Sequence, residues 1–130
     1  MVVGETATSK RVFSQQDFDH FAALSGDDNP IHVDPEFSAR TKFGKTVAHG
    51  MLLYTTICGV LDLHWPGACQ LEQELMFPNP TYVGEEITLH LEVIHIDPEK
   101  RLAWLDTIIA KPDGTVGCQG KTCLQLPEGI

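Results

Sequence analysis

The segment LSGDDNPIHVD, residues 24–34, holds three aspartates, an asparagine and a histidine, with no lysine or arginine among them. Asp27 and His32 lie five positions apart in a stretch stiffened by Asn29-Pro30, so both side chains can project into one cleft and share a water molecule. An aspartate–histidine pair suits general acid–base chemistry near neutral pH, because the imidazole titrates close to it. The same residue types also build turns, and Asp34 before a proline suits a helix cap. A loop histidine is also common as a solvated or hydrogen-bonded bystander. Spacing alone leaves both readings open.

The flanking segments must position any such pair. Residues 8–13, TSKRVF, predict a short strand. Ser14 with Asp17 three residues on forms a capping arrangement that opens a helix from Gln15 to about Leu24. Phe18, Phe21 and Ala22 give that helix its apolar stripe, and Ser25-Gly26 ends it. Residues 24–34 read as a loop, and Asp34-Pro35 opens a second helix of one or two turns. Residues 50–63, GMLLYTTICGVLDL, carry one charge, Asp62, and are apolar on nearly every side. Such a helix must be surrounded by protein, and it is too short to cross a bilayer.

The rest of the chain reads as strand. Leu71, Leu75 and Phe77 alternate with Glu72 and Glu74, and Ile87, Leu89, Leu91 and Val93 alternate with Thr88, His90 and Glu92. Turns at DPEK (97–100) and KPDG (111–114) separate two further strands, the last reaching about Leu126. The expectation is an α+β fold in which an antiparallel sheet wraps one buried helix.

Composition narrows the function classes. At 130 residues the chain suits one domain, read here as residues 1–130. A net charge of −9 argues against a nucleic-acid partner. No run reaches membrane-spanning length, and the N-terminal MVVGETATSKRV has no apolar export segment, so the expected location is the cytoplasm. Cys58, Cys69, Cys118 and Cys123 form no CxxC and share no short spacing with a histidine pair. They predict neither a metal site nor a disulfide framework.

Phe21-Ala-Ala-Leu-Ser-Gly-Asp-Asp-Asn-Pro-Ile-His32, followed by Ser38, resembles the motif of the MaoC-like, (R)-specific enoyl-CoA hydratases (type 2 hydratases). The likeness continues in VAHGML (47–52) and in FPNPTYVGEEIT (77–88), and covers about residues 10–125. It implies a hot-dog fold, a homodimer, and reversible syn addition of water to trans-2-enoyl thioesters, giving (R)-3-hydroxyacyl thioesters. It implies that Asp27 and His32 jointly hold the catalytic water, with Asn29 in support. The N–H of Gly50 would polarise the thioester carbonyl, as amides at a helix N-terminus do for a developing enolate-like oxygen. No cofactor is implied beyond coenzyme A as part of the substrate. His49, within the AHG segment, reads as structure at the start of the central helix.

Cys58 stands in the expected substrate pocket where these hydratases commonly carry serine, and a thiol is the weaker donor. Arg40, Lys42 and Lys45 form the local basic patch and are the candidates for coenzyme A phosphates; an ordinary solvated loop is the plainer reading. The acyl group could instead be carried on acyl carrier protein, as for a 3-hydroxyacyl-ACP dehydratase, although the anionic surface disfavours that acidic partner. Two further alternatives are a hot-dog thioesterase, for which the helix offers only Asp62, and a non-catalytic acyl-thioester binding module.

Overall fold

The structure is a computed structural model that describes residues 1–129. The chain runs β1 (Thr6–Val12), α1 (Gln15–Ser25), α2 (Pro30–Val33), α3 (Pro35–Ala39), α4 (Gly50–His64), β2 (Cys69–Gln73), β3 (Glu86–Asp97), β4 (Leu102–Ala110) and β5 (Val116–Gln125). The strands form one antiparallel sheet in the order β1-β3-β4-β5-β2. The expected α+β arrangement is present, with α4 packed against the sheet.

The alternating pattern explains the core. Ile87, Leu89, Leu91 and Val93 of β3 are buried, and with Leu105 and Ile109 of β4 and Leu124 of β5 they face Leu53, Ile57, Val60 and Leu61 of α4. Removing a buried Leu or Ile from such a layer costs about 2–5 kcal/mol. The central helix is not enclosed all round by its own chain. Met51 is 52% and Leu63 85% exposed, and Thr55 and Gly59 between them continue the same bare stripe.

Two local expectations need correction. A register shift between Gln70 and Glu72 breaks the alternation of β2, which ends at Gln73; Leu71 is 53% exposed, Leu75 packs against the core, and Phe77 lies beyond the strand with its ring against Gly50. The segment read as a loop also contains a helical turn, α2. Asn29 caps it by accepting the Ile31 N–H at 3.2 Å, and Pro30 occupies its first position.

The capping signals around α1 were legible. Ser14 and Asp17 exchange side-chain and backbone hydrogen bonds in a capping box. Gly26 ends the helix at φ 81°, a conformation that favours glycine, and returns its N–H to the Ala22 carbonyl. Asp34 caps α3 through the Phe37 N–H at 3.1 Å. Together these caps fix both ends of the segment carrying Asp27 and His32.

Candidate active site

The turn after α1 presents Asp27 with its side chain 56% exposed, whereas α2 turns His32 inward to 8% exposure. His32 is thus not a solvated loop residue. Its Nδ1 lies 2.7 Å from the Val47 carbonyl oxygen. A carbonyl only accepts, so Nδ1 carries a proton, and in the neutral ring Nε2 presents the lone pair. That Nε2 lies 3.8 Å from Asp27 Oδ2. The separation exceeds a direct hydrogen bond, and one water placed between them can contact both.

The support comes from several elements. Gln15, in the first turn of α1, donates to the His32 carbonyl at 2.9 Å and accepts from the Thr46 hydroxyl at 2.6 Å. Ser38 donates to the Ile31 carbonyl, which also accepts the Val47 N–H. Sequence reasoning missed Gln15, since a polar residue at an exposed helix start carries no distinguishing pattern.

His49, read from the sequence as structure at the start of α4, stands directly before that helix and also meets both members of the pair. This residue is 2% exposed, and its Nε2 donates to the Asp27 carbonyl at 2.8 Å. Its ring stacks on His32 with centroids 3.8 Å apart and planes 22° apart, and Phe21 meets it edge-on. Burial holds its pKa below the ordinary histidine value; the Asp27 carbonyl works in the opposite direction, and the neighbouring His32 adds to the lowering.

Asp27, His32 and His49 each offer a ligand atom within 4.8 Å of the others. A ring nitrogen binds a metal in the plane of its ring. Two stacked, nearly parallel rings cannot both aim a lone pair at one ion at about 2.0–2.1 Å. The set suits proton chemistry better than metal binding.

These groups border a cavity of about 540 Å³ whose wall includes Phe21, Ile31, Phe43, Val47, Leu53, Phe77 and Pro80. Gly50 opens α4 on the same cavity, and as the first helical residue its N–H has no partner within the helix. A Cβ built on Gly50 would lie 2.7 Å from the Phe77 ring, so glycine admits the ring there.

The remaining predicted residues lie apart. Asn29 caps α2, the turn that carries His32. Cys58 does not border this cavity; its thiol faces Gln70 Oε1 at 3.5 Å, an oxygen that also accepts the Tyr54 hydroxyl at 2.7 Å. Burial and the neighbouring Cys58 push Tyr54 up to about 12. Arg40, Lys42 and Lys45 are exposed and outside the cavity wall, Lys42 lying over the Phe43 ring at 5.5 Å. No helix among the described residues is long and apolar enough to cross a membrane.

Comparison with known proteins identifies the family and the fold. Residues 3–103 match the family described as MaoC like domain. The chain is 38% identical over 127 residues to an (R)-specific enoyl-CoA hydratase of Aeromonas caviae, covering 96% of this chain and 95% of the relative. It is 36% identical over 128 residues to a 3-hydroxybutyryl-CoA dehydratase of Methylorubrum extorquens, covering 97% and 81%. The solved structure of the A. caviae (R)-hydratase superposes with a TM-score of 0.94 at 37% identity, over 98% of each chain. With a hot-dog sheet around α4 and a family match over most of its length, this chain belongs to the MaoC-like family.

Proposed function

We propose that the protein is an (R)-specific enoyl-CoA hydratase, acting in reverse as a 3-hydroxyacyl-thioester dehydratase. The observation that carries this reading is the 3.8 Å gap between the Asp27 carboxylate and His32 Nε2, the lone-pair nitrogen of the neutral ring, at the edge of an apolar cavity. A water in that gap meets two acceptors. Each of its protons points at one of them, which turns an oxygen lone pair toward the substrate.

The water oxygen bonds to C3 of the enoyl thioester while one proton passes to the Asp27–His32 pair. The C2=C3 electrons move toward the thioester carbonyl, and C2 takes a proton from the pair. Both additions come from one side of the substrate, so the outcome is syn. Negative charge on the carbonyl oxygen is met by the Gly50 N–H at the start of α4, where the helix dipole favours it. Which member of the pair holds the proton at each stage belongs to the coupled pair rather than to either residue.

No prosthetic group enters this reading; coenzyme A arrives as the substrate's carrier. A second copy of the chain covers the bare stripe of α4, which Met51 and Leu63 would otherwise leave in water. Residues 1–130 then act as a single domain. Thioester hydrolysis is disfavoured because Asp62, the helix's only carboxylate, is exposed and outside the cavity wall.

The test is loss of the conjugated enoyl absorbance with crotonyl-CoA and octenoyl-CoA, followed by resolution of the product's configuration. Formation of (R)-3-hydroxyacyl-CoA is expected, with Asp27→Asn and His32→Gln each lowering turnover by about 10²–10⁴-fold. An (S) product, or near-normal turnover in either variant, contradicts the assignment. Parallel assays with the same acyl groups on acyl carrier protein decide the carrier.

A further inference from the structure

Nδ1 of His49 is buried without a hydrogen-bond partner among the described residues. A buried acceptor left unpaired is a cost that phenylalanine or leucine in the same space would avoid. What the imidazole does for its neighbours offsets that cost. Its Nε2–H holds the Asp27 carbonyl at 2.8 Å, and its face covers the His32 ring at 3.8 Å. Phe21, edge-on at 4.9 Å, keeps the ring from turning. One side chain therefore touches both members of the acid–base pair, through the main chain of one and the ring of the other.

We propose that His49 is a positioning residue that sets the spacing between the Asp27 carboxylate and His32 Nε2. This rests on the reading of Asp27 and His32 as the acid–base pair. Asp27 needs such a hold because its side chain is more than half exposed and its turn is otherwise fixed only by local bonds, from the Asp27 N–H to the Ser25 hydroxyl and from the Asn29 N–H to the Asp27 carboxylate. His32 needs it because the hydrogen bond to Val47 alone leaves the ring free to tilt about one contact.

Two variants separate the two contacts. His49→Phe keeps an aromatic face on His32 and drops the bond to Asp27; His49→Gln keeps a donor and drops the face. A misplacement of about 1 Å in an acid–base site costs on the order of 10²-fold, so His49→Phe is expected to lower kcat about 10–100-fold. KM should stay within about threefold, since the residue acts on the transition state and not on binding. His49→Gln should recover part of that loss. In its nitrogen-15 spectrum, however, the single Nδ1-protonated tautomer of His32 should give way to an average, while His49→Phe preserves the wild-type signal. The idea is overturned if both variants keep wild-type kcat, or if activity falls only in proportion to the folded fraction with the tautomer signal unchanged in both. If the wild type turns over no enoyl thioester, the functional reading has failed. The His32 signal still decides the role of His49: unchanged in His49→Gln, it refutes the positioning role.

Discussion

Gly50→Ala tests whether the start of α4 is a reacting surface or only a convenient helix start. The alanine keeps the backbone N–H, so the proposed donor to the thioester oxygen is chemically intact. Its Cβ, however, would lie 2.7, 2.8 and 3.0 Å from three carbons of the Phe77 ring, where ordinary contact begins near 3.4 Å. The ring must retreat by roughly 0.7 Å or more. Phe77 is 44% exposed and the clash is with the far end of its side chain, so the overpacking cost falls at the low end of the usual range, about 1 kcal/mol. For a chain of this size that lowers Tm by about 3–5 °C. Activity should suffer more, because Phe77 and Gly50 border the same cavity and a displacement near 1 Å costs on the order of 10²-fold. The assay is kcat/KM on crotonyl-CoA beside thermal melts of Gly50→Ala, Phe77→Leu and the double variant. If the loss is steric, the double variant regains most of what Gly50→Ala lost, a coupling that a double-mutant cycle measures directly. Full activity in Gly50→Ala refutes the idea that the ring is held against this amide. A double variant as poor as Gly50→Ala refutes the steric account.

Other predictions concern stability and substrate binding. The folded-state pKa of His49 is lowered, so below the ordinary histidine value near 6.5 the unfolded chain takes up a proton that the folded chain does not. The contribution of His49 to stability is complete above that value and falls as pH drops toward the depressed folded pKa, by up to about 1.4 kcal/mol per pH unit. Urea melts from pH 7 to 5 should show this slope, and His49→Gln should flatten it; equal slopes would contradict the burial argument. Gly120→Ala would drive a Cβ into the main chain at Glu74, which cannot swing aside. A loss of about 3 kcal/mol and roughly 10 °C in Tm is expected, and a wild-type melt would mean that residues 74–76 do not lie over β5. Neutralising Lys42 and Lys45 together should raise KM for a CoA thioester and spare a pantetheine analogue; equal effects on both would rule out a phosphate contact.

Legibility in the sequence followed the range of the forces involved. The helix caps at Ser14, Gly26 and Asp34 were readable because each depends on residues within four positions. The strands of β3 and β4 were readable because burial on one face imposes alternation. The bulge in β2 was not, since it reflects pairing with β5 some fifty residues away. At the site, Asp27 and His32 stood out by type and spacing, and the family resemblance gave them roles. The burial of His32, its tautomer and the part played by His49 depend on Val47 and the Asp27 carbonyl, which only the folded chain brings within reach. The surroundings of Cys58 were not legible either: the resemblance sets it in the substrate pocket, and only the folded chain shows its thiol facing Gln70.

The contacts that hold Asp27 and His32 come from Gln15, Ser25, Ser38, Val47 and His49, all within one continuous third of the chain. The far wall of the cavity comes from Phe77, Asn79, Pro80, Thr81 and Gly117, which lie beyond α4. Inheritance can therefore act on the two parts separately. Drift before residue 51 touches the reacting pair together with the near wall of Phe21, Ile31, Phe43 and Val47, whereas drift after residue 76 touches the wall alone. Exchanging the second part between relatives should yield chimaeras that differ in what they accept while sharing one reaction.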